Sequence, residues 1–273
     1  MNHQDVLRET SVLRLARFSH PQDQPHHDPR EETSPEYSIN FVESGTFDVQ
    51  AGRQSWRLYP GMVFLARKGL AFRCHHDEEI PRDICLSLMP AASLVAQNGD
   101  NWKAIWKTCA VRSTNRLAYL HLRLSRVVRS DAPSLAVETL ATEVLAELDV
   151  LLGSESRKPY RAQQLAWYTD RVEAVRSLLE TRFTDSHSLG SLAGAAGMSP
   201  FHFARVFREL TGKPPHRYLI EVRLTRALQS LRRGASVTET CFAVGFSNLS
   251  HFIRLFRRRF GTSPSGFTRR HAS

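Results

Sequence analysis

Hydrophobic and polar residues alternate along the first third of the chain, and short glycine-containing turns interrupt the alternation. A period of two places every second side chain on the same face, which predicts β-strands. Short strands separated by such turns predict an antiparallel sandwich or barrel. The six predicted strands cover residues 37–42, 46–50, 55–58, 62–65, 71–75 and 84–88.

Beyond residue 91 the hydrophobic period lengthens to between three and four residues, which predicts helices. One apolar stripe runs from Leu117 to Val128, and a second segment, 135–152, is rich in Ala, Leu and Val. The polar segment 153–159 breaks this pattern and predicts a connection between domains. Residues 1–30 are polar and rich in Pro and His, and they predict a mobile arm.

The last third of the chain contains one helical unit twice. Residues 197–208 return as 245–257 with an offset of 48 and then 49 residues, because the second copy has one additional residue before its second helix. Both copies then close with glycine and proline, at 212–215 and 261–264. Two copies are too few for a solenoid, so the repeat predicts a tandem module.

Each copy has the pattern of a helix-turn-helix. A short helix ends at Gly197 or Gly245, which can adopt the left-handed backbone of a tight turn. Ser199 or Ser247 then offers a hydroxyl group to cap the next helix. That helix carries an apolar stripe, which predicts one buried face. The stripe residues are Phe203, Val206, Phe207 and Leu210 in the first copy and Phe252, Leu255, Phe256 and Phe260 in the second.

The opposite faces of these helices carry arginines at matched positions, Arg205 and Arg254. An arginine near the start of a helix suits insertion of the N-terminal end into a major groove, and Arg reads guanine with two hydrogen bonds. Phe201 would stack on sugar or touch a thymine methyl group; contact with the N-terminal domain is the alternative. Three arginines are expected to neutralise phosphate. These are Arg208, Arg257 and Arg258, and the further candidates for DNA contact are His202, Asn248, Leu249 and Ser250.

The excess positive charge lies entirely in this region. Residues 170–273 contain 17 Lys and Arg against 7 Asp and Glu, whereas the first 169 residues contain 20 of each. Such a basic domain is typical of nucleic-acid binding. A solvated basic face on ordinary packed helices is one alternative. A membrane surface is another, but no apolar run reaches the ~18 residues that span a bilayer.

A predicted helix joins the two copies. It runs from about residue 215 to residue 233, with Gly234 after its end. Such a helix is roughly 28 Å long at 1.5 Å per residue, and one turn of B-DNA is about 34 Å. It can hold the two units near the spacing of adjacent major grooves, and it can be an ordinary packed helix at the same time. The residues that mark its apolar face are Ile220, Leu224, Ala227, Leu228 and Leu231.

The region from about 170 to 270 contains several short motifs. They are Leu192-Ala193, Gly197-Met198-Ser199, Gly212…Pro215…Tyr218-Leu219, Gly245-Phe246-Ser247 and Gly261…Pro264. Through them the region resembles the DNA-binding domain of the AraC/XylS family of bacterial transcription regulators. The resemblance implies two recognition helices in successive major grooves on one face of DNA, with base-contacting arginines at Arg205 and Arg254. Cys241 departs from the alanine that is usual in the family.

Two motifs among the strands, Val42…Ser44-Gly45 and Leu58…Pro60-Gly61, resemble the cupin-like sensor domain of many AraC-type regulators. The resemblance implies a β-barrel that binds a small-molecule effector, and an activator with RNA polymerase as a partner. In this family, helices behind the barrel often pair subunits, so the resemblance also implies a homodimer. The alternative is that these helices only cover the barrel.

A metal-dependent enzyme is the rival from another class, because cupin barrels often hold metals. A metal-binding cupin usually has His-x-His, a nearby Glu and a later His, and the segment from His26 to Glu32 lacks that spacing. A second cluster contains Cys74, His75, His76, Asp77 and Cys85. Cys74 and His76 lie on one face of a strand and would converge. Core cysteines with surface histidines are favoured over metal or thiol sensing, so no catalytic residue, metal ligand or cofactor is predicted.

The sequence therefore predicts an α+β protein of two domains. A cupin-like sensing and dimerisation domain covers 1–153, a linker covers 154–168, and a double helix-turn-helix domain covers 169–273. Four cysteines that look unpaired and the lack of a recognisable signal peptide predict a reducing cytoplasm. The predicted function is effector-controlled activation of transcription through sequence-specific binding of double-stranded DNA. An architectural DNA binder without sequence preference is the second rival.

Overall fold

The computed structural model describes residues 3–19, 31–76, 83–98, 105–130, 132–151 and 159–271. The chain forms two compact units, Met1–Arg161 and Ala162–Ser273. The first unit combines antiparallel β-sheets with helices, and the second is helical. The predicted α+β division is thus confirmed at the level of sheets followed by helices.

In the described part of the first unit, ten strands form two antiparallel sheets. They are β1 (His3–Glu9), β2 (Leu13–Ser19), β3 (Glu32–Thr33), β4 (Ser38–Ser44), β5 (Phe47–Ala51), β6 (Gln54–Leu58), β7 (Met62–Ala66), β8 (Ala71–His75), β9 (Ile84–Pro90) and β10 (Ala110–Arg112). One sheet has the order β1-β2-β9-β4-β7-β10, and the other has the order β3-β8-β5-β6. Phe47 and Val49 of the smaller sheet share one apolar core with Val42 and Phe64 of the larger sheet. The six predicted strands correspond to β4–β9.

The mobile arm predicted for residues 1–30 is wrong wherever the structure describes that segment. β1 and β2 pair as an antiparallel hairpin, and β2 also pairs with β9. Strand β2 buries Leu13, Leu15 and Ala16. This segment is therefore an amphipathic strand in spite of its polar composition. Residues 20–30, with the His26-His27 pair, lie outside the described residues.

Within the described residues the first unit also contains three α-helices. They are α1 (Ala92–Asn98), α2 (Asn115–Arg129) and α3 (Ser134–Leu151), and a short 3₁₀ turn at Ile105–Lys107 lies before β10. The Thr114 hydroxyl caps α2 by accepting the Leu117 N–H at 3.0 Å. The predicted stripe from Leu117 to Val128 faces the interior, and α2 packs against α3. Both predicted helices are therefore present.

Seven helices form the second unit over its described residues, 162–271. They are α4 (Ala162–Thr181), α5 (Leu189–Ala195), α6 (Pro200–Thr211), α7 (Pro215–Arg232), α8 (Val237–Ala243), α9 (Leu249–Phe260) and α10 (Pro264–His271). The predicted linker 154–168 is wrong at its C-terminal end, because residues 162–168 belong to α4. Leu165, Tyr168 and Val172 are buried there at helical spacing, and this burial fixes the helix. Residues 154–158 lie outside the described residues. No helix in the described part of the chain is long and apolar enough to cross a bilayer.

Candidate nucleic-acid interface

The two repeated motifs are α5–α6 and α8–α9, and each has the predicted left-handed glycine in its turn. The φ angle is +63° at Gly197 and +88° at Gly245. The glycines differ in their surroundings. A Cβ atom on Gly245 would lie 2.9 Å from the carbonyl oxygen of Thr184 and 3.0 Å from Cζ of Arg223, whereas a Cβ on Gly197 would meet nothing closer than 4.0 Å. The turn of the second motif is therefore packed against the loop after α4.

The predicted serine caps are wrong in both copies. Ser199 has the backbone conformation of an N-cap, but its side chain makes no capping hydrogen bond. Pro200 follows at the first helical position, where its fixed φ angle starts the helix without that bond. In the second copy the cap is Asn248, whose Oδ1 accepts the His251 N–H at 2.8 Å. The additional residue in this copy moves the cap from Ser247 to Asn248, so this candidate for DNA contact has a structural role.

Helix α6 presents one apolar face and one exposed face. Phe203, Val206, Phe207 and Leu210 are fully buried, as predicted. Arg205 and Arg208 are exposed on the other side, and Phe201 is 83% exposed. Leaving a large aromatic ring in water forgoes the free energy of its burial. Phe201 is therefore the residue on this face whose exposure most needs a functional explanation.

Helix α9 repeats this arrangement with more positive charge. Phe252 and Phe256 are fully buried, and Phe260 is half-buried. The exposed residues that line a shallow groove along the helix include Ser250, Arg254, Arg257 and Arg258. Arg259 is also exposed and is a further candidate that the repeated pattern does not identify. The last turn holds Arg257, Arg258 and Arg259, where positive charge also stabilises the C-terminal end of the helix.

Two further candidates for DNA contact have partners inside the domain. Leu249 is half-buried and packs against the core cluster that contains Phe252 and Phe256, so part of its side chain has a structural role. His202 is half-buried, and its Nε2 lies 2.9 Å from the Tyr168 hydroxyl. Its Nδ1 lies 3.2 Å from Nη2 of Arg205. Both ring nitrogens of His202 therefore have partners inside the domain, and its first role is intramolecular.

Helix α7 connects the motifs and contacts helices of both. Its 18 residues give a length of about 27 Å at 1.5 Å per residue. Leu224, Ala227 and Leu231 are buried in the core of the second motif, as the apolar face predicted. Cys241 belongs to the same core and is fully buried, so the small site accommodates the thiol group. The connector and the second motif therefore share one packed core.

Two half-buried arginines hydrogen-bond within the second unit. Arg223 of α7 donates from Nε to the Phe183 carbonyl at 2.7 Å and from Nη2 to the Asp185 carbonyl at 2.9 Å. Burial lowers the pKa of Arg223. Arg176 of α4 donates to the Tyr218 hydroxyl at 2.9 Å, and Tyr218 in turn donates to Glu180. Burial, with Glu180 beside it, raises the pKa of Tyr218 to about 12.

These framework arginines were not separated from the exposed ones by the sequence analysis. The long-range partners of Arg176 and Arg223 are backbone or side-chain groups about 40 residues away in sequence. No local pattern identifies such partners. The net charge of the domain therefore overstates the number of arginines that are available to bind DNA.

The cysteine and histidine cluster lies in the first unit, around a cavity of about 280 Å³. Cys74, His76, Asp83 and Cys85 all line it, so Cys74 and His76 converge as predicted. The prediction of surface histidines is wrong for His76, whose side chain is 5% exposed and pairs with Asp83 at 3.3 Å. Burial raises the pKa of the Cys85 thiol. Asp77 lies outside the described residues, and among those that are described no group of three or more His, Cys, Asp or Glu side chains could hold a metal ion.

The second unit matches known proteins, as does most of the chain. Residues 192–270 match the family described as "Helix-turn-helix domain". The chain is 34% identical over 243 residues to the HTH-type transcriptional activator RhaS of Escherichia coli O81 (strain ED1a), and the alignment covers 84% of this chain and 83% of RhaS. With RhaS of Escherichia coli K12 / DH10B the identity is 34% over 137 residues, which covers 50% of this chain and 46% of that protein.

A solved structure, that of a probable AraC family transcriptional regulator from Rhodopseudomonas palustris CGA009, is 30% identical. The alignment covers 37% of this chain and 97% of the Rhodopseudomonas palustris chain, with a TM-score of 0.36. The similarity to RhaS of strain ED1a extends through the sheets as well as the paired helix-turn-helix motifs. This chain belongs to the AraC/XylS family of DNA-binding transcription regulators, which is a family of transcription factors and not of enzymes.

Proposed function

We propose that the protein activates transcription by placing α6 and α9 in successive major grooves of double-stranded DNA. The observation that carries the proposal is the pair of exposed arginines, Arg205 and Arg254, at equivalent positions of helices whose opposite faces are buried. Arginine is the side chain best suited to bidentate recognition of guanine in the major groove. RhaS of Escherichia coli is named a transcriptional activator, which supports activation here, with RNA polymerase as the partner.

The remaining exposed residues would divide between reading and positioning. Phe201 and Ser250 occupy equivalent places near the starts of α6 and α9, and they would contact bases or sugars beside each arginine. Arg208, Arg257 and Arg258 would neutralise phosphates, which fixes the position of the protein on DNA without reading sequence. The DNA-binding domain would begin with α4, and the sensing and dimerisation domain would lie within residues 1–153.

A small molecule bound in the first unit would control this activity. The cavity of about 280 Å³ has aromatic walls that include Phe47 and Phe64, together with polar groups that include Asn40 and Ser87. Cavities of mixed apolar and polar lining are typical of small-ligand sites. The two sheets that enclose it would form a cupin-like barrel. An effector that binds one arrangement of this unit more tightly would shift the population toward that arrangement.

A homodimer would present two such DNA-binding domains to paired half-sites. Helix α3 leaves Leu135 73% exposed and Val150 63% exposed. Apolar side chains on one helix of the first unit support pairing of subunits through α2 and α3. A transcription regulator with these partners would act in the cytoplasm.

The function is tested by titrating the full-length protein with a DNA duplex recovered by selection from a random pool. Arg254→Ala should weaken binding by about 1–3 kcal/mol and relax the preference at one base position. Arg53→Ala, which removes the same charge from an exposed turn between β5 and β6, is the matched control and should bind like the unmodified protein. If Arg254→Ala weakens binding to selected and random duplexes equally, Arg254 does not read a base.

A further inference from the structure

We infer that Tyr168 is a positioning residue for base reading, because through His202 it holds the Arg205 side chain in the orientation in which α6 presents it. The inference rests on the proposed role of Arg205 as a base reader. Neither Tyr168 nor α4 belongs to the repeated motif, so the sequence pattern gives no reason to connect them with recognition.

The hydrogen bonds form a continuous chain from α4 to the exposed guanidinium. The Tyr168 hydroxyl lies 2.9 Å from Nε2 of His202, and Nη2 of Arg205 lies 3.2 Å from Nδ1 of the same ring. A guanidinium can only donate, so Nδ1 must accept. The neutral imidazole then carries its hydrogen on Nε2 and donates it to Tyr168. Gln164 also donates to that hydroxyl, at 3.1 Å.

This series of hydrogen bonds begins at a buried residue and ends at an exposed one. Tyr168 is buried, His202 is half-buried and Arg205 is exposed. The rings of Tyr168 and His202 also pack together, with centroids 5.5 Å apart. A long arginine side chain loses rotamer freedom when it binds a base, and a support that already restricts it lowers this loss. Tyr168 and His202 therefore preorganise Arg205 before DNA arrives.

The second motif uses a different local arrangement. His251 is the counterpart of His202, but its ring meets the edge of Phe246 with centroids 6.2 Å apart. Among the described residues no side chain forms a hydrogen bond with the guanidinium of Arg254. The support is thus specific to the first motif, and its loss should affect one half of the DNA site only.

The test compares full-length Tyr168→Phe, Arg205→Ala and the double variant on the selected duplex and on its single-base variants. Tyr168→Phe keeps the ring and removes the hydroxyl, and it should weaken binding by about 2–10-fold, the range for one hydrogen bond. The loss of discrimination should fall at the base position that Arg205→Ala affects. In the Arg205→Ala background the tyrosine substitution should add no further loss. Tyr218→Phe, which removes a hydroxyl between α4 and α7, is the matched control and should leave that base preference intact.

The outcomes separate this inference from the proposed function. If Arg205→Ala leaves every base preference unchanged, both the base-reading role and the positioning role are overturned. If Arg205→Ala erases a preference but Tyr168→Phe discriminates like the unmodified protein, only the positioning role is overturned. The positioning role is also overturned if Tyr168→Phe weakens binding as much in the Arg205→Ala background as it does alone. Should Tyr168→Phe fail to fold, His202→Phe removes the same link and is expected to give the same loss at the same base; unchanged discrimination would count against the inference.

Discussion

Substituting alanine for the two turn glycines provides a sharp test of how the second motif is built. Gly197 and Gly245 occupy the same place in the repeat, and both have a positive φ angle. A side chain in this conformation costs about 1–2 kcal/mol. Gly197→Ala should cost about that amount, because its Cβ would have nothing closer than 4.0 Å.

Gly245→Ala should lower the free energy of unfolding by more than Gly197→Ala does, because there is also no space for the added Cβ atom. Its Cβ would lie 2.9 Å from the carbonyl oxygen of Thr184, so the backbone of the loop after α4 must move. That loop is held by the two hydrogen bonds from Arg223 to the carbonyls of Phe183 and Asp185. Overpacking of this kind costs about 1–3 kcal/mol. Gly245→Ala should therefore destabilise the helical unit by about 2–5 kcal/mol in total.

The comparison requires a measurement that reports on the helical unit alone, because a chain of two units need not unfold in one step. Hydrogen exchange of backbone amides in α5 and α6 for Gly197→Ala and in α8 and α9 for Gly245→Ala, followed at increasing urea concentration, gives such a local free energy of unfolding. The account predicts that Gly245→Ala loses at least about 1 kcal/mol more than Gly197→Ala. Equal losses in the two variants would refute the close approach of the turn to Thr184.

Three further predictions concern single residues of the helical unit. Asn248→Ala should lower the free energy of unfolding by about 1 kcal/mol through loss of the α9 cap, whereas Ser247→Ala should not; thermal unfolding of both variants decides between them. Arg257→Ala should reduce the slope of log affinity against log salt by about 0.9, because one phosphate contact is lost; an unchanged slope in a salt titration contradicts the phosphate role. Burial raises the pKa of Tyr218 from 10.0 to about 12. As the pH rises, the unfolded state therefore loses the phenolic proton before the folded state does. The free energy of unfolding should be unaffected by this group below pH 10 and should fall between pH 10 and 12. Urea unfolding across that range should show a smaller fall in Tyr218→Phe.

The sequence predicted those parts of the fold that depend on local periodicity. The apolar stripe of α6 is buried as its spacing required, and six strands follow from alternation and glycine turns. The hairpin at the N-terminus does not stand out in the sequence because its exposed face is charged, and only Leu13 and Leu15 mark the buried face of β2 by their alternation. The N-cap of α9 was misplaced by one residue because the additional residue in the second copy moved the cap to Asn248.

The site was predictable only in its exposed half. The matched spacing of Arg205 and Arg254 identifies two outward faces. It does not reveal that His202 hydrogen-bonds Tyr168, or that half-buried Leu249 packs against the core. Those relationships join residues on different helices, and tertiary packing decides them. A residue at the N-terminal end of a recognition helix can face DNA or the fold, and only the packed structure distinguishes the two.

The central claim is that two equivalent basic helices, a fixed distance apart, read consecutive turns of one duplex. Selection of binding sites from random DNA, performed with the unmodified protein, Arg205→Ala and Arg254→Ala, tests it most directly. The account predicts two short conserved blocks about 10–10.5 base pairs apart, centre to centre. Each variant should lose one block and keep the other. A single block, blocks without constant spacing, or loss of the same block in both variants would contradict the account.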